Sequence, residues 1–83
     1  MRITMYTTDW CPYCVRAKAY LEKKGLEVEE INLAGDPDFR EKIMAITGGM
    51  TVPQILIGDT PIGGYDDLRR LDASGELDRM LAA

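Results

Sequence analysis

Apolar and polar side chains alternate with two different periods along this chain, and each period predicts a type of secondary structure. Across residues 2–7, Ile3 and Met5 alternate with more polar neighbours, which is the two-residue period of a β-strand. Across residues 12–24 the apolar side chains recur with helical spacing, and Gly25 supplies a C-terminal stop. The chain is therefore predicted to open with a strand followed by a helix.

The middle of the chain repeats this succession. Val28, Ile31 and Leu33 predict a second strand, and residues 36–47 predict a second helix that begins at an Asp-Pro pair. The glutamates of the strand region are expected to form a solvated face, and they are Glu27, Glu29 and Glu30. The apolar residues of the helix are expected in the core, and they are Phe39, Ile43, Met44 and Ile46.

The last third of the chain predicts a β-hairpin followed by helical structure. Residues 51–57 form the most β-prone run, a Gly-Asp pair supplies a hairpin turn, and residues 60–63 form the partner strand. A helix then begins at Asp66-Asp67, and a last short helix follows Gly75.

The predicted order of elements is β-α-β-α-β-β-α. Strands joined by helices imply right-handed crossovers and parallel pairing in the first part of the sheet, whereas the final hairpin adds an antiparallel edge. We therefore expect an α/β, thioredoxin-like fold with a central mixed four-stranded sheet flanked by helices. In this arrangement Cys11 and Cys14 lie where the first strand ends and the first helix begins, which is where ligand sites of α/β sheets collect.

Composition and charge restrict the class of protein. The 83 residues are 46% hydrophobic and 29% charged, which suits one globular domain over residues 1–83 with one modest core. A net charge of −4 argues against a nucleic-acid or anionic-membrane partner held by general electrostatics. No apolar run reaches the ~18–20 residues of a membrane span, and the first residues lack the apolar stretch of a signal peptide. We therefore expect a cytoplasmic protein, and a monomer.

The candidate chemistry depends on two cysteines, because the chain contains no histidine. This composition excludes a Cys/His zinc finger and any histidine general base. Cys11 and Cys14 form a Cys-x-x-Cys motif at the predicted strand-to-helix junction. There the Cys11 sulfur faces unpaired backbone N–H groups and the positive end of the helix dipole, which favour the thiolate. Cys11 is therefore the candidate nucleophile, and Cys14, inside the first helical turn, is the candidate resolving thiol.

A metal site is the alternative interpretation of the same motif, because Cys-x-x-Cys also chelates metals. A tetrahedral site needs four ligands, and the chain has two cysteines and no histidine. A metal would have to be shared across a dimer, or completed by carboxylates or an external thiol. We therefore favour redox chemistry and expect no metal.

Three sequence blocks together resemble the glutaredoxins, specifically the short bacterial dithiol kind. In chain order the blocks are Tyr6-Thr7 with Cys11-Pro12-Tyr13-Cys14, then Thr51-Val52-Pro53, then Ile62-Gly63-Gly64-Tyr65-Asp66-Asp67-Leu68. The resemblance implies a glutathione-dependent thiol–disulfide oxidoreductase that reduces protein disulfides and protein–glutathione mixed disulfides. Glutathione is then a co-substrate, disulfide-containing or glutathionylated proteins are the partners, and no tightly bound cofactor is needed.

The resemblance also implies where glutathione binds. A cis bond before Pro53 turns the backbone of Val52 toward the active cysteine, where it pairs with the cysteinyl unit of glutathione. Asp67 or Asp66 accepts a hydrogen bond from the γ-glutamyl ammonium group, and Arg40 contacts the glycyl carboxylate. The full implied set is Tyr13, Arg40, Thr51, Val52, Pro53, Gly64, Asp66 and Asp67.

Several of these residues also have a purely structural interpretation. Pro53 can start an edge strand, and Asp66 and Asp67 can cap a helix. Arg40 can be a solvated helix charge. Trp10, beside the candidate nucleophile, is either a contact surface for partner proteins or a packed side chain.

Three positions depart from the pattern of many glutaredoxins. Thr8 stands where many have a lysine, Gly49 where they often have a basic or polar residue, and Tyr65 where some have a third cysteine. Because basic residues are missing near the thiol, a second enzymatic function remains an alternative, namely a redoxin that is reduced by a thioredoxin-type reductase. The alternative from another class is an iron–sulfur carrier that joins Cys11 of two subunits with two glutathiones. Pro12 and the competing Cys14 argue against it.

Overall fold

The computed structural model describes residues 2–49 and 51–82, which form eight elements. The strands are β1 (Ile3–Thr7), β2 (Val28–Asn32), β3 (Gln54–Ile57) and β4 (Thr60–Gly63), and the helices are α1 (Pro12–Lys23), α2 (Phe39–Thr47), α3 (Tyr65–Ala73) and α4 (Glu76–Ala82). The predicted elements are confirmed, including the last short helix after Gly75, although the order β-α-β-α-β-β-α counts the C-terminal helical region once. This glycine has a φ of 81°, a left-handed conformation that ends a helix.

The strands form one sheet in the order β2-β1-β3-β4. β1 pairs in parallel with β2 and antiparallel with β3, and β3 pairs antiparallel with β4. The expected mixed four-stranded sheet is therefore confirmed. All four residues of β3 are buried, because this inner strand has helices on both faces of the sheet.

The main core cluster joins the inner strands to the helices that cover one face of the sheet. In β1 the buried residues alternate with half-buried ones, as the two-residue period predicted. The buried members of the cluster are Ile3, Met5, Ala17, Leu21, Ile55, Ile57, Leu68 and Leu77. This packing holds α1 against the sheet, and the two cysteines lie where the chain passes from β1 to α1.

Helix α2 differs from its prediction in its start and in its buried face. It begins at Phe39 rather than at residue 36, because the Asp36 carboxylate accepts the Asp38 N–H at 2.9 Å and holds these residues in a turn. Ile43 is fully buried, but Met44 and Ile46 are 44% and 45% exposed. Their assignment to the core was therefore wrong, since a nine-residue helix presents only one stripe to the sheet.

Within the described residues, no helix combines the length and the apolar character needed to cross a bilayer.

A polar cluster joins the end of α1 to α3. Lys24 Nζ lies 2.8 Å from Asp72 Oδ1, and the Tyr20 hydroxyl donates to the other carboxylate oxygen. The hydrogen bond from Lys24, followed by that from Tyr20, holds the pKa of Asp72 below its ordinary value. The carboxylate therefore stabilises the fold while it is ionised.

We expect acid to remove this contribution. Because the folded-state pKa of Asp72 is lower than the ordinary value of 3.8, its contribution is fully present above that value and is lost as pH falls through the folded-state pKa. In urea unfolding, Asp72→Asn should be less stable than the parent at about pH 6, and the difference should shrink toward about pH 2. A difference in the free energy of unfolding that does not change with pH would contradict this role.

Candidate active site

The two cysteines form a disulfide at the first turn of α1, with their Cα atoms 5.1 Å apart. Cys11 is the N-cap residue with an extended backbone, and Pro12 follows as the first residue of the helix. Proline fits this position because its missing N–H would have had no helical partner and its fixed φ suits the helix. The local sequence therefore places Cys11 just outside the helix and Cys14 inside it.

The helix start polarises the Cys11 sulfur. The backbone N–H of Cys14 donates to Cys11 Sγ at 3.1 Å, which is the position of an N-capping side chain. After reduction, this N–H and the positive end of the helix dipole stabilise a negative charge on Cys11. Cys11 is partly exposed, whereas Cys14 is 4% exposed. Access and electrostatics therefore both favour Cys11 as the nucleophile.

A groove of about 700 Å³ runs from Tyr13 to the start of α3. Of the residues implied for glutathione binding, those that line it are Tyr13, Thr51, Val52, Pro53, Gly64, Asp66 and Asp67. The groove also includes Gln54, which the sequence did not single out. Its buried amide donates to the Thr51 carbonyl at 2.8 Å and holds the wall in shape.

The Val52–Pro53 peptide bond is cis, as the resemblance implied. Pro53 precedes β3, which pairs with strands on both sides, so the interpretation of an edge strand was wrong. The β-strand itself begins at Gln54 instead of residue 51. Within residues 2–49 and 51–82, no backbone group is hydrogen-bonded to the N–H or C=O of Val52.

The far wall of the groove is the start of α3. The N–H of Gly64 donates to Asp67 Oδ2 at 3.0 Å, and Arg70 contacts the other oxygen. Asp67 therefore does cap the helix, whereas Asp66 is exposed at the rim. Gly63 has a φ of 105°, and a Cβ there would collide with the Asp67 carboxylate, so this corner requires glycine.

Arg40 lies outside the groove as the structure describes it. It is exposed, and its guanidinium lies 5.5 Å from the centre of the Phe39 ring. The structure thus does not bring Arg40 together with the other implied residues, and its contact with a glycyl carboxylate stays a prediction.

Aromatic rings close the groove on the side of α1. The Tyr13 and Tyr65 ring centres are 6.2 Å apart, and Tyr20 meets Tyr65 edge to face at 6.3 Å. Arg16 lies 5.4 Å from the centre of the Tyr13 ring, and Arg69 lies 5.8 Å from that of Tyr65. No local sequence signal predicts this cluster, because it joins α1 to α3 across about fifty residues.

A second cavity of about 470 Å³ is lined by both cysteines. Trp10, at its rim, is 98% exposed, so the interpretation as a packed side chain was wrong. Glu27, Glu29 and Glu30 are exposed, as predicted for a solvated face, and Glu30 also lines this cavity. Its carboxylate accepts from the Thr7 hydroxyl at 2.8 Å and from Lys18 Nζ at 3.1 Å.

Comparison with known proteins gives consistent matches over the chain. The family model described as Glutaredoxin matches residues 3–62. A glutaredoxin of Pseudomonas aeruginosa is 48% identical over 81 residues, which cover 98% of this chain and 96% of that protein. The solution structure of glutaredoxin from Brucella melitensis matches with a TM-score of 0.83 at 43% identity, over 98% of this chain and 88% of the other. The crystal structure of the buckwheat glutaredoxin–glutathione complex matches with a TM-score of 0.85 at 29% identity, over 96% and 76%.

The matches extend over the elements that build the site. They confirm the thioredoxin-like fold expected from the order of strands and helices. The close cysteine pair at the start of α1 suits dithiol exchange, which uses an exposed thiolate and a second thiol within reach of it. The chain belongs to the glutaredoxin family of thiol–disulfide oxidoreductases, with Cys11 and Cys14 as its redox-active pair.

Proposed function

We propose that this protein uses glutathione as the reductant in its disulfide exchange. The Cys11 thiolate attacks a protein disulfide and releases one substrate thiolate, which takes up a proton. Cys14 then attacks the Cys11 sulfur, releases the second substrate thiolate and closes the Cys11–Cys14 disulfide. Two glutathione molecules reduce this disulfide and leave as oxidised glutathione.

The same nucleophile acts on protein–glutathione mixed disulfides. Cys11 attacks the glutathionyl sulfur, the protein thiolate leaves, and a second glutathione regenerates the Cys11 thiolate while oxidised glutathione forms. This route transfers the same two electrons and does not involve Cys14.

The groove that Tyr13 lines, between the two cysteines in the chain, carries the proposal. Its volume of about 700 Å³ lies within the range of small-ligand pockets, roughly 300–1,000 Å³. One wall offers the N–H and C=O of Val52, which have no backbone partner among the described residues. An extended tripeptide can pair with them as a strand of one residue. The glutathione complex of the similar buckwheat glutaredoxin supports the same ligand.

The opposite wall suits the γ-glutamyl end of glutathione. Backbone N–H groups at the start of α3 can bind its carboxylate. Asp66 is exposed at the rim, whereas Asp67 already accepts from Gly64 and Arg70. Asp66 is therefore the better placed partner for the ammonium group, whereas Asp67 stabilises the start of α3, which forms this wall.

A protein substrate adds contacts that glutathione lacks. Trp10 is 98% exposed and directly precedes the nucleophile. Its indole offers a large apolar surface to the chain around a substrate disulfide, and aromatic anchors of this kind carry much of the energy of protein interfaces.

Reduction of a glutathionylated peptide, coupled to glutathione and glutathione reductase, tests the proposal. We expect turnover in this assay and little with a thioredoxin-type reductase as the only reductant. Asp66→Asn should raise KM about fivefold and leave kcat unchanged, because an exposed charged contact of ~1 kcal/mol binds substrate and transition state alike.

Asp59→Asn is the matched control, since Asp59 is an exposed aspartate in the β3–β4 turn, away from the groove. Arg40→Ala in the same assay decides between a contact to the glycyl carboxylate, which raises KM, and a surface charge, which leaves it unchanged. Turnover with the thioredoxin-type reductase alone would contradict glutathione as the reductant.

A further inference from the structure

A polar cluster lies beside the less exposed of the two cysteines. Glu30, on β2, accepts from the Thr7 hydroxyl at 2.8 Å and from Lys18 Nζ at 3.1 Å. The side chains of Lys18 and Glu30 are 41% and 33% exposed, so solvent screens this ion pair only in part. The disulfide chemistry described above does not use either charge.

The fold brings this ion pair to Cys14. Cys14 and Lys18 are four residues apart on α1, so their side chains are neighbours on one face of the helix, with Cβ atoms about 5–6 Å apart. Cys14, Lys18 and Glu30 all line the second cavity, which shares no lining residue with the proposed glutathione groove. Cys14 is 4% exposed, so nearby charges affect it more strongly than they would in water.

We propose that Lys18 and Glu30 act as an opposed pair of charges that sets the acidity of the resolving thiol, Cys14. The Lys18 ammonium stabilises the Cys14 thiolate, whereas the Glu30 carboxylate destabilises it. Both are positioning residues, since neither touches the substrate. The proposal depends on the thiol–disulfide activity of the family and not on glutathione as the reductant.

The step affected is the second exchange. Cys14 loses its proton to solvent, and its thiolate attacks Cys11 Sγ in the mixed disulfide. The Cys14–Cys11 bond forms, the bond from Cys11 to the substrate sulfur breaks, and the substrate leaves as a thiolate that is then protonated. The fraction of Cys14 thiolate therefore sets how fast the mixed disulfide is resolved.

Glu30 acts here as a fixed charge and not as the proton acceptor. The Thr7 hydroxyl, followed by Lys18, lowers the pKa of its carboxyl group below the ordinary value of 4.5, so it remains ionised near neutral pH. Two further carboxylates face the same cavity, Asp9 from the loop after β1 and Glu22 from α1. Both are retained in the variants below, so they contribute a constant background.

Titration of Cys14 alone, in the Cys11→Ser background, tests the proposal. The pH dependence of alkylation, or of thiolate absorbance in the ultraviolet, gives the pKa of Cys14 directly. Lys18→Gln should raise this pKa and Glu30→Gln should lower it, each by about half a unit to one unit, which is about three- to tenfold in thiolate fraction. The double variant Lys18→Gln/Glu30→Gln should return the pKa close to that of the background.

The controls remove comparable charges elsewhere. Lys42→Gln breaks the exposed ion pair with Asp36. Glu29→Gln breaks the ion pair with Arg2, and Glu29 is the neighbour of Glu30 in β2. Both should leave the pKa of Cys14 unchanged.

Shifts of opposite sign support the proposal, and they are independent of any loss of stability measured by urea unfolding of the same variants. If both variants shift the pKa of Cys14 in the same direction, or if neither shifts it, the proposal is wrong. The ion pair would then serve only to stabilise the fold.

Discussion

Replacement of Cys11 by serine is expected to abolish disulfide exchange, down to the rate measured without the protein. A serine hydroxyl does not ionise near neutral pH, so the N–H of Cys14 and the helix dipole no longer have a thiolate to stabilise. Cys14 cannot take over the reaction with a protein substrate, because it is 4% exposed and lies inside the helix.

Replacement of Cys14 by serine should instead remove one of the two activities and leave the other. Reduction of a protein disulfide should be lost, because the mixed disulfide on Cys11 can no longer be resolved from within the protein. Removal of glutathione from a mixed disulfide should persist, because that route needs only the nucleophile. Parallel coupled assays on a disulfide protein and a glutathionylated peptide measure both activities. If Cys14→Ser were inactive on the glutathionylated peptide as well, the one-thiol route would be wrong.

The Cys11 thiol is expected to titrate far below the value of a free cysteine. The contact from Cys14 N–H and the helix N-terminus both favour the anion, and such positions lower a cysteine pKa from about 8.5 into the range of roughly 3.5–7.5. A pKa of about 5 would raise the thiolate fraction at pH 7 from roughly 3% to roughly 99%. Asp9, which lines the same cavity as Cys11, opposes this shift.

Alkylation rates between about pH 3 and about pH 10, measured on the Cys14→Ser variant, report the pKa of Cys11 alone. The Cys11→Ser variant gives the matched value for Cys14, which should not be lowered in the same way because its sulfur is buried. Asp9→Asn should lower the pKa of Cys11 further, since it removes a nearby negative charge. A Cys11 value close to 8.5 would contradict activation by the helix start.

Most of the fold follows from local patterns. Ile3, Met5 and Thr7 are buried in alternation, and Gly25 and Gly75 end helices where their positions predicted. A strong apolar periodicity predicts buried positions reliably, because one face of each element must be buried whatever its neighbours are. The pattern misassigned Met44 and Ile46, since the spacing of apolar residues does not reveal how wide a stripe of α2 the sheet covers.

The position of the site was also predictable, but its electrostatics were not. A Cys-x-x-Cys motif between a strand and a helix places the nucleophile at the helix N-terminus by geometry alone. Glu30 illustrates the opposite case. Along the sequence it is one glutamate among three. The parallel pairing of β1 with β2 brings it to Thr7, and the packing of α1 on β2 brings Lys18 to it.

The sequence by itself determined the reactive groups of this protein, namely two thiols without a histidine, a carboxylate-rich surface and the order of strands and helices. Only the tertiary structure decided which groups meet. It directs Asp67 to cap its own helix, leaves Asp66 exposed at the rim and keeps Arg40 outside the groove. It also places Glu30 in the cavity that the cysteines line. The physical reason is the range of the interactions. Helix starts and strand periods depend on neighbours a few residues away, whereas a charge acts on whatever the fold places within several ångströms of it.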